Sequence, residues 1–436
     1  MIEYAFEVGI ILIVLISALL LIGTPISISM GIGAVAACFV VLPSSKVAVT
    51  AAQRIYSGIN SFSLLAIPFF VLAGNIMNNG GIAQRLVNFA KSIIGSIPGA
   101  LAQANVVANM FFGSVSGSGV AAAAAIGGIL DPIESKEGYD KRYAAAVNIA
   151  SAPCGMLIPP SNIFIVYSLA SSGASIAALF MAGYIPGILW GIGCMVVAYY
   201  YAKKLGYKPS PILGARAKLK TFIDAIPCLF LIVIIVGGIL GGVFTATEAS
   251  CIAVVYSLLL SLCYKQLTWR VLYNAFLSSV KTSGMIIFMI GVSSILSWIM
   301  SFTGIPTYIA EGFLRLTDNG VVILLMMNLI LLIMGCIMDP TPAVLIFTPI
   351  FLPIVVKFGI NPIHFGVIMV FNLCVGTITP PVGPILFTGC KIANLKIEDV
   401  FKHLIPYFIA EIAILLLITY VPVLSMYIPS IVGLVK

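Results

Sequence analysis

The chain has 436 residues, a mean hydropathy of +1.17 and only 8% charged residues. So little charge excludes a soluble globule, and many apolar runs reach the roughly 18 residues that read as a transmembrane helix, so the chain is read as a polytopic protein of the lipid bilayer. The formal charge of +8 points to neither nucleic acid nor an acidic substrate, because the basic residues fall in connecting segments, where the positive-inside rule acts. The nine cysteines are scattered through apolar segments without a CxxC pair, a pattern that predicts core packing rather than a metal or redox centre.

In chain order, the N-terminal MIEYAFEVGI carries acids and no basic stretch, so its helix is expected to be retained rather than cleaved as a signal. Apolar segments 6–22 and 26–42 follow, joined at Gly23-Thr24-Pro25. Residues 44–60 read as interfacial, 62–78 as a span and 82–95 as an amphipathic surface helix. Then FFGSVSGSGVAAAAAIGG, 111–128, breaks an apolar run with glycines and hydroxyls. Non-helical backbone at membrane depth is tolerated only inside protein or against a wet cavity, so Gly113 to Gly119 reads as the tip of a re-entrant hairpin over 97–130. The alternative is one helix with small residues on a packing face. A polar loop is expected over 131–142. The run 143–171 is interrupted by Pro153, Gly155 and Pro159-Pro160, which should break the helix and free carbonyls beside Asn148, Ser161 and Asn162. A helix over 176–201 leads into a basic linker, 203–221.

After the linker the pattern returns. Pro159-Pro160 recurs as Pro380-Pro381 at an offset of 221 and Gly113 as Gly335 at 222, while Gly81-Ile82 falls opposite Gly304-Ile305 and Pro186 opposite Pro406. This common register predicts two repeats, 1–202 and 222–436, the second with a hairpin over 319–354 and a broken helix over 362–390. Spanning helices are expected near 6, 26, 62, 143 and 176, and again near 223, 246, 282, 362 and 403. Five crossings per repeat make the repeats inverted, with hairpins entering from opposite faces. With both termini outside, the inner segments hold all but five of the 22 Lys and Arg residues, the five being Lys46, Arg54, Arg315, Lys357 and Lys436.

The fold class is therefore an all-α membrane protein of two inverted repeats, and paired hairpins facing broken helices describe a transporter rather than a channel or an enzyme. The second tip contains Asp339, at a depth where no Lys or Arg is expected. An unpaired Asp there costs about 3 kcal/mol on insertion scales, which a bound cation would offset. Oxygen-only ligands suit a hard ion, and Na⁺ fits the low charge better than Ca²⁺ or Mg²⁺. Alternatively, Asp339 caps a half-helix that begins at Pro340. Glu248 is expected at an interface, Glu411 in packing, and His364 and His403 in solvent near helix ends. No HExxH-type site or second aspartate at depth supports an intramembrane protease.

The stretches GSVSGS at 113–118, IPPS at 158–161 and NLCVGTITPPVG at 372–383, in this order and spacing, resemble the large membrane subunit of tripartite ATP-independent periplasmic (TRAP) transporters. The resemblance covers essentially the whole chain. It implies a multi-pass protein of the bacterial inner membrane with an elevator mechanism, Na⁺ as the coupling ion and no other cofactor. It also implies a small membrane subunit of about four helices and a periplasmic substrate-binding protein. By the same resemblance Ser116, Ser118, Gly155 and Pro160 would hold one Na⁺, and Asp339, Thr341, Gly376 and Thr379 a second. The family's usual cargo is a carboxylate. Without a basic side chain in the site, the anion would depend on tip amides, bound Na⁺ and Ser118, Asn148, Asn162, Asn372 and Thr377. Sialic-acid members usually carry an Asp where Ala122 stands here, which argues against that cargo. A single-component divalent-anion/Na⁺ symporter shares the architecture and is the alternative.

Overall fold

The structure, a computed structural model, describes residues 4–435 apart from 208, 210–213 and 382, so the middle of the basic linker lies outside the described residues. The first half opens with α1 (Ala5–Leu21), α2 (Ile26–Val41) and α3 (Ser44–Ile59). A single 3-10 turn, Phe62–Leu65, leads into α4 (Ala66–Asn79), followed by α5 (Ile82–Ile94). Next come α6 (Ala100–Ser116) and α7 (Gly119–Lys136), then the broken run α8 (Lys141–Ser151), α9 (Cys154–Leu157) and α10 (Asn162–Ala170), and α11 (Ile176–Lys204). The second half contains α12 (Ala215–Leu240), α13 (Ala246–Cys263), α14 (Trp269–Thr303) and α15 (Ile305–Leu316). It continues with α16 (Gly320–Ile337), α17 (Pro340–Lys357), α18 (Pro362–Gly376), α19 (Pro384–Ala393), α20 (Ile397–Tyr420) and α21 (Val423–Ile431). Among the described residues there is no strand, and 8 helices are long and apolar enough to cross a membrane, or 9 with the bent α8–α10 run counted as one span.

Several boundaries depart from the sequence expectation for local reasons. The first tip is two residues, not seven. α6 continues through Ser116, Gly117 takes φ +62° without a Cβ penalty, and Ser118 restarts the chain by accepting from Ala121 N at 3.3 Å. The polar stretch after it is helical as far as Lys136, passing through Pro132, with Glu134 buried. The second hairpin's arms, α16 and α17, have 18 residues each and are long and apolar enough to span. The crossing near 282 and the inner segment before it form one helix, α14, whose 35 residues extend about 52 Å at 1.5 Å per residue. No sequence signal had suggested α21. Glu248 closes a capping box with Thr245 at the start of α13. His364 is not solvated but buried, with its ring nitrogens 2.6 Å from Ser425 Oγ and 3.3 Å from Thr419 O.

The helices pack as two groups. The first is α1–α4 with α12, α13 and α14; the second is α6–α11 with α16–α21. α5 touches α6 and α12, and α15 touches α14 and α17, so each of these two helices bridges the groups. Within the second group the halves interlock, because α7 packs on α19 and α10 packs on α17. Its interior is filled by aromatic side chains such as Trp190, which contacts Phe371 and donates from Nε1 to Ala150 O at 2.9 Å.

Each hairpin is fastened to its broken helix by buried amides. The Asn109 amide nitrogen lies 2.8 Å from Asn105 Oδ1 and 3.1 Å from Asn148 Oδ1, while Asn148 donates to Ala123 O at 3.0 Å. In the other half Asn372 donates to Asn328 Oδ1 at 2.8 Å, and Asn328 to Thr419 Oγ1 at 3.0 Å. Removing one member strands the other in an apolar interior, at about 1–3 kcal/mol. Asn372→Ala is therefore expected to lower the thermal unfolding midpoint of the detergent-solubilised protein more than Asn79→Ala does, Asn79 being exposed with an amide bonded only within its own helix. Fluorescence melting checks this.

Candidate functional site

Four helices begin at one place. The N-terminal residues of α7 (Gly119, Val120, Ala121), α10 (Asn162, Ile163), α17 (Pro340, Thr341) and α19 (Pro384, Ile385) all line a single cavity of about 250 Å³. Ser116, Gly117 and Ser118 from the first tip line it as well, with Asp339 from the second tip and Thr377 from the end of α18. α4 and α14 close it with Gly74, Asn75, Thr282 and Ile286. Helix N-termini carry a partial positive charge that favours an anion, and the free N–H groups here come from α7, α10 and Thr341 of α17, because Pro340, Pro342 and Pro384 have none and Ile385 and Leu386 donate to Thr377 O. Asp339 is the only ionisable group among the described residues lining it.

Of the residues singled out in the sequence, Ser116, Ser118, Asp339, Thr341, Asn162 and Thr377 meet in this cavity. Gly155, Pro160, Gly376 and Thr379 stand behind the tips. A Cβ built on Gly155 would lie 2.2 Å from Gly113 Cα, and one on Gly376 would lie 2.2 Å from Gly335 C, so in both halves the hairpin and the break touch backbone to backbone. The Thr379 hydroxyl donates to Val375 O at 2.8 Å, and the Pro159-Pro160 and Pro380-Pro381 bonds are cis. Asn148 and Asn372 do not reach the cavity; their amides are committed to the fastening described above.

Asp339 occupies the N-cap position of α17 with Pro340 first in the helix, yet its side chain makes no capping hydrogen bond and is exposed to the cavity. Two wall residues went unnoticed in the sequence. Asn75, which donates to Ser279 Oγ at 2.8 Å, could have been found as a lone amide inside an apolar run; Thr282 had no such signal.

A multi-pass helical membrane protein that gathers four helix ends and a carboxylate around one small cavity has the construction of a small-solute permease. The family model for the DctM component of tripartite ATP-independent periplasmic transporters matches residues 13–424. YgiK of Salmonella typhimurium, an uncharacterised protein, is 49% identical over 98% of this chain and 98% of its own length. The isethionate TRAP transporter permease DctMQ of Oleidesulfovibrio alaskensis is 41% identical over 94% of this chain and 64% of its own. In fold, the YdaH transporter of Alcanivorax borkumensis superposes with a TM-score of 0.62, covering 90% of each chain at 14% identity. The chain belongs to the DctM family and is a large membrane subunit of a TRAP transporter, not an enzyme. The family's systems are tripartite, the large permease working with a small membrane subunit and a substrate-binding protein.

The backbone contact at the tips can be tested by size alone. In Gly376→Ala the new methyl meets the Gly335 backbone, which cannot yield as a side chain would, and overpacking of this kind costs about 1–3 kcal/mol. A lower unfolding midpoint is expected for Gly376→Ala. Gly237→Ala, in α12 with open space at its Cβ, should leave the midpoint unchanged or raised.

Proposed function

We propose that the chain carries a small organic anion across the bacterial inner membrane by Na⁺-coupled secondary transport. A periplasmic binding protein delivers the solute, and a small membrane subunit of about four helices completes the membrane part. The observation that carries this reading is the convergence of four helix N-termini, two hairpin tips and one carboxylate on a single cavity. The N-termini of α7 and α10 supply N–H groups for the anion's oxygens, and Ser118, Asn162 and Thr377 supply polar side chains that orient it. One Na⁺ is assigned to the first tip, at Ser116 and Ser118 with the backbone near Gly155 and Pro160. A second is assigned to Asp339, Thr341, Gly376 and Thr379. A cation beside the carboxylate lets an acid and an anionic solute occupy one cavity without repulsion, which couples the two bindings.

The matched contacts Gly113–Gly155 and Gly335–Gly376, and the two asparagine fastenings, support two repeats, 1–202 and 222–436, joined by the linker 203–221. With the repeats inverted, both termini are periplasmic. The second helix group, which holds both tips, then acts as the moving element of an elevator against α1–α4 and α12–α14, with α5 and α15 as its arms. The relative named for isethionate handles a sulfonate, which fits an anion site built from N–H groups rather than one set to a particular carboxylate. The DctMQ name of that relative supports the small subunit as a partner.

The test is initial uptake against Na⁺ concentration in liposomes containing both membrane subunits, with the binding protein supplied. Asp339→Asn and Ser118→Ala should each shift the Na⁺ curve to higher concentration. Losing a charge-assisted ligand costs about 1.5–3 kcal/mol, or roughly ten-fold to a hundred-fold in affinity. An unchanged curve for Asp339→Asn removes the carboxylate from the ion site. Equal uptake without a Na⁺ gradient removes the coupling, and uptake by this chain alone favours a single-component symporter.

A further inference from the structure

The cavity at the tips contains no basic side chain, but a second cavity further along the same helices does. It has a volume of about 460 Å³ and is lined by Arg54, Ser57 and Ser61 from α3 and the segment after it, and by Ser293, Ser297 and Ser301 from α14. No acidic residue is among those lining it. The two cavities share three walls. α10 passes from Asn162 at the first to Leu169 at the second, α14 from Thr282 to Ser297, and α17 from Thr341 to Pro349. On α14 the nearest lining residues of the two cavities, Ile286 and Ile290, are one turn apart, about 6 Å at 1.5 Å per residue. Two of these walls, α10 and α17, belong to the helix group that carries the tips, and α14 belongs to the other, so the space lies between the two groups. The Arg54 guanidinium lies 5.0 Å from the centroid of the Trp298 ring, which holds it at the mouth of the cavity without neutralising it.

We propose that this second cavity is an outer waiting site for the organic anion, where Arg54 and the surrounding serine hydroxyls take up its charged head group before it reaches the tips. The chemistry is that of a carboxylate or sulfonate. A guanidinium offers paired N–H donors to two oxygens, and hydroxyls can turn to donate to the remainder. The division of labour follows from the difference between the sites. A fixed charge at the mouth concentrates anions entering from outside, whereas the tips, with only partial charges, can release the solute on the far side. The placement of this cavity on the outer side rests on the proposed topology, in which Arg54 is among the few outer basic residues.

Thiol labelling tests this without requiring transport. In cells carrying the whole system, Ser297→Cys is made in a Cys263→Ser background, Cys263 being the exposed cysteine of the chain. An anionic sulfonatoethyl and a cationic trimethylammonioethyl thiosulfonate are applied from outside, and their rates are compared. With Arg54 present the anionic-to-cationic ratio at position 297 should exceed that in Arg54→Gln by roughly ten-fold, the effect of one nearby charge in a partly screened space. Arg54→Lys should retain most of the preference, which separates charge from a structural role against Trp298. A ratio that is the same in Arg54→Gln overturns the proposal, and so does labelling that succeeds only from the cytoplasmic side. Because the readout needs no Na⁺, failure of the coupling described above leaves this result standing, and the reverse is equally true.

Discussion

The helix N-termini of α7, α10, α17 and α19, with the partial positive charge each carries, are the constraint on which the site depends. A buried lysine or arginine would hold an anion tightly but would cost several kcal/mol to keep at membrane depth, and would remain charged after the solute left. Backbone N–H groups at helix ends avoid both problems, because their partial charge needs no counter-ion and is satisfied by water when the cavity is open. To bring four such ends together the chain must be broken four times. The two hairpin tips supply two of the breaks and the two Pro-Pro segments the other two.

Broken helices are expensive in lipid unless their loose ends are packed in protein, and glycine makes that packing possible. Gly113 against Gly155 and Gly335 against Gly376 let the tips and breaks touch through backbone, at distances that no side chain allows. Gly117, in the left-handed region, would place any Cβ 2.7 Å from the Asn162 amide. Asn105, Asn109 and Asn148 in one half, and Asn328 and Asn372 in the other, then tie each hairpin to its broken helix with buried hydrogen bonds. Cavity geometry and scaffold stability thus draw on the same few residues. Of the asparagines expected to bind solute, Asn148 and Asn372 serve the scaffold, while Asn162 lines the cavity.

Much of this was legible in the sequence where a residue type has few other uses at membrane depth. GSVSGSG within an apolar run, the paired prolines and an aspartate followed by proline each marked a break, and all three types of signal fall at the cavity. What sequence left open concerns side-chain direction. Asn148 and Asn162 flank the same break, but one points into the hairpin and the other into the cavity, and no spacing rule distinguishes them. The extent of α14 was hidden because Arg270 and Lys281 resemble an interfacial segment, although a helix about 52 Å long can carry them beyond the apolar layer. His364 was placed in solvent because its partners Thr419 and Ser425 are far away in sequence.

The central claim is that one cavity binds ion and solute together, and ion-dependent accessibility of its wall measures that most directly. A cysteine at Val120, beside the first tip, and another at Thr282, on the opposite wall, are each exposed to a neutral thiol reagent in the reconstituted two-subunit membrane complex. The account predicts that replacing K⁺ by Na⁺ slows modification at both positions, with further slowing when the solute is added in Na⁺ but not in K⁺. Rates indifferent to the cation at both positions would contradict it.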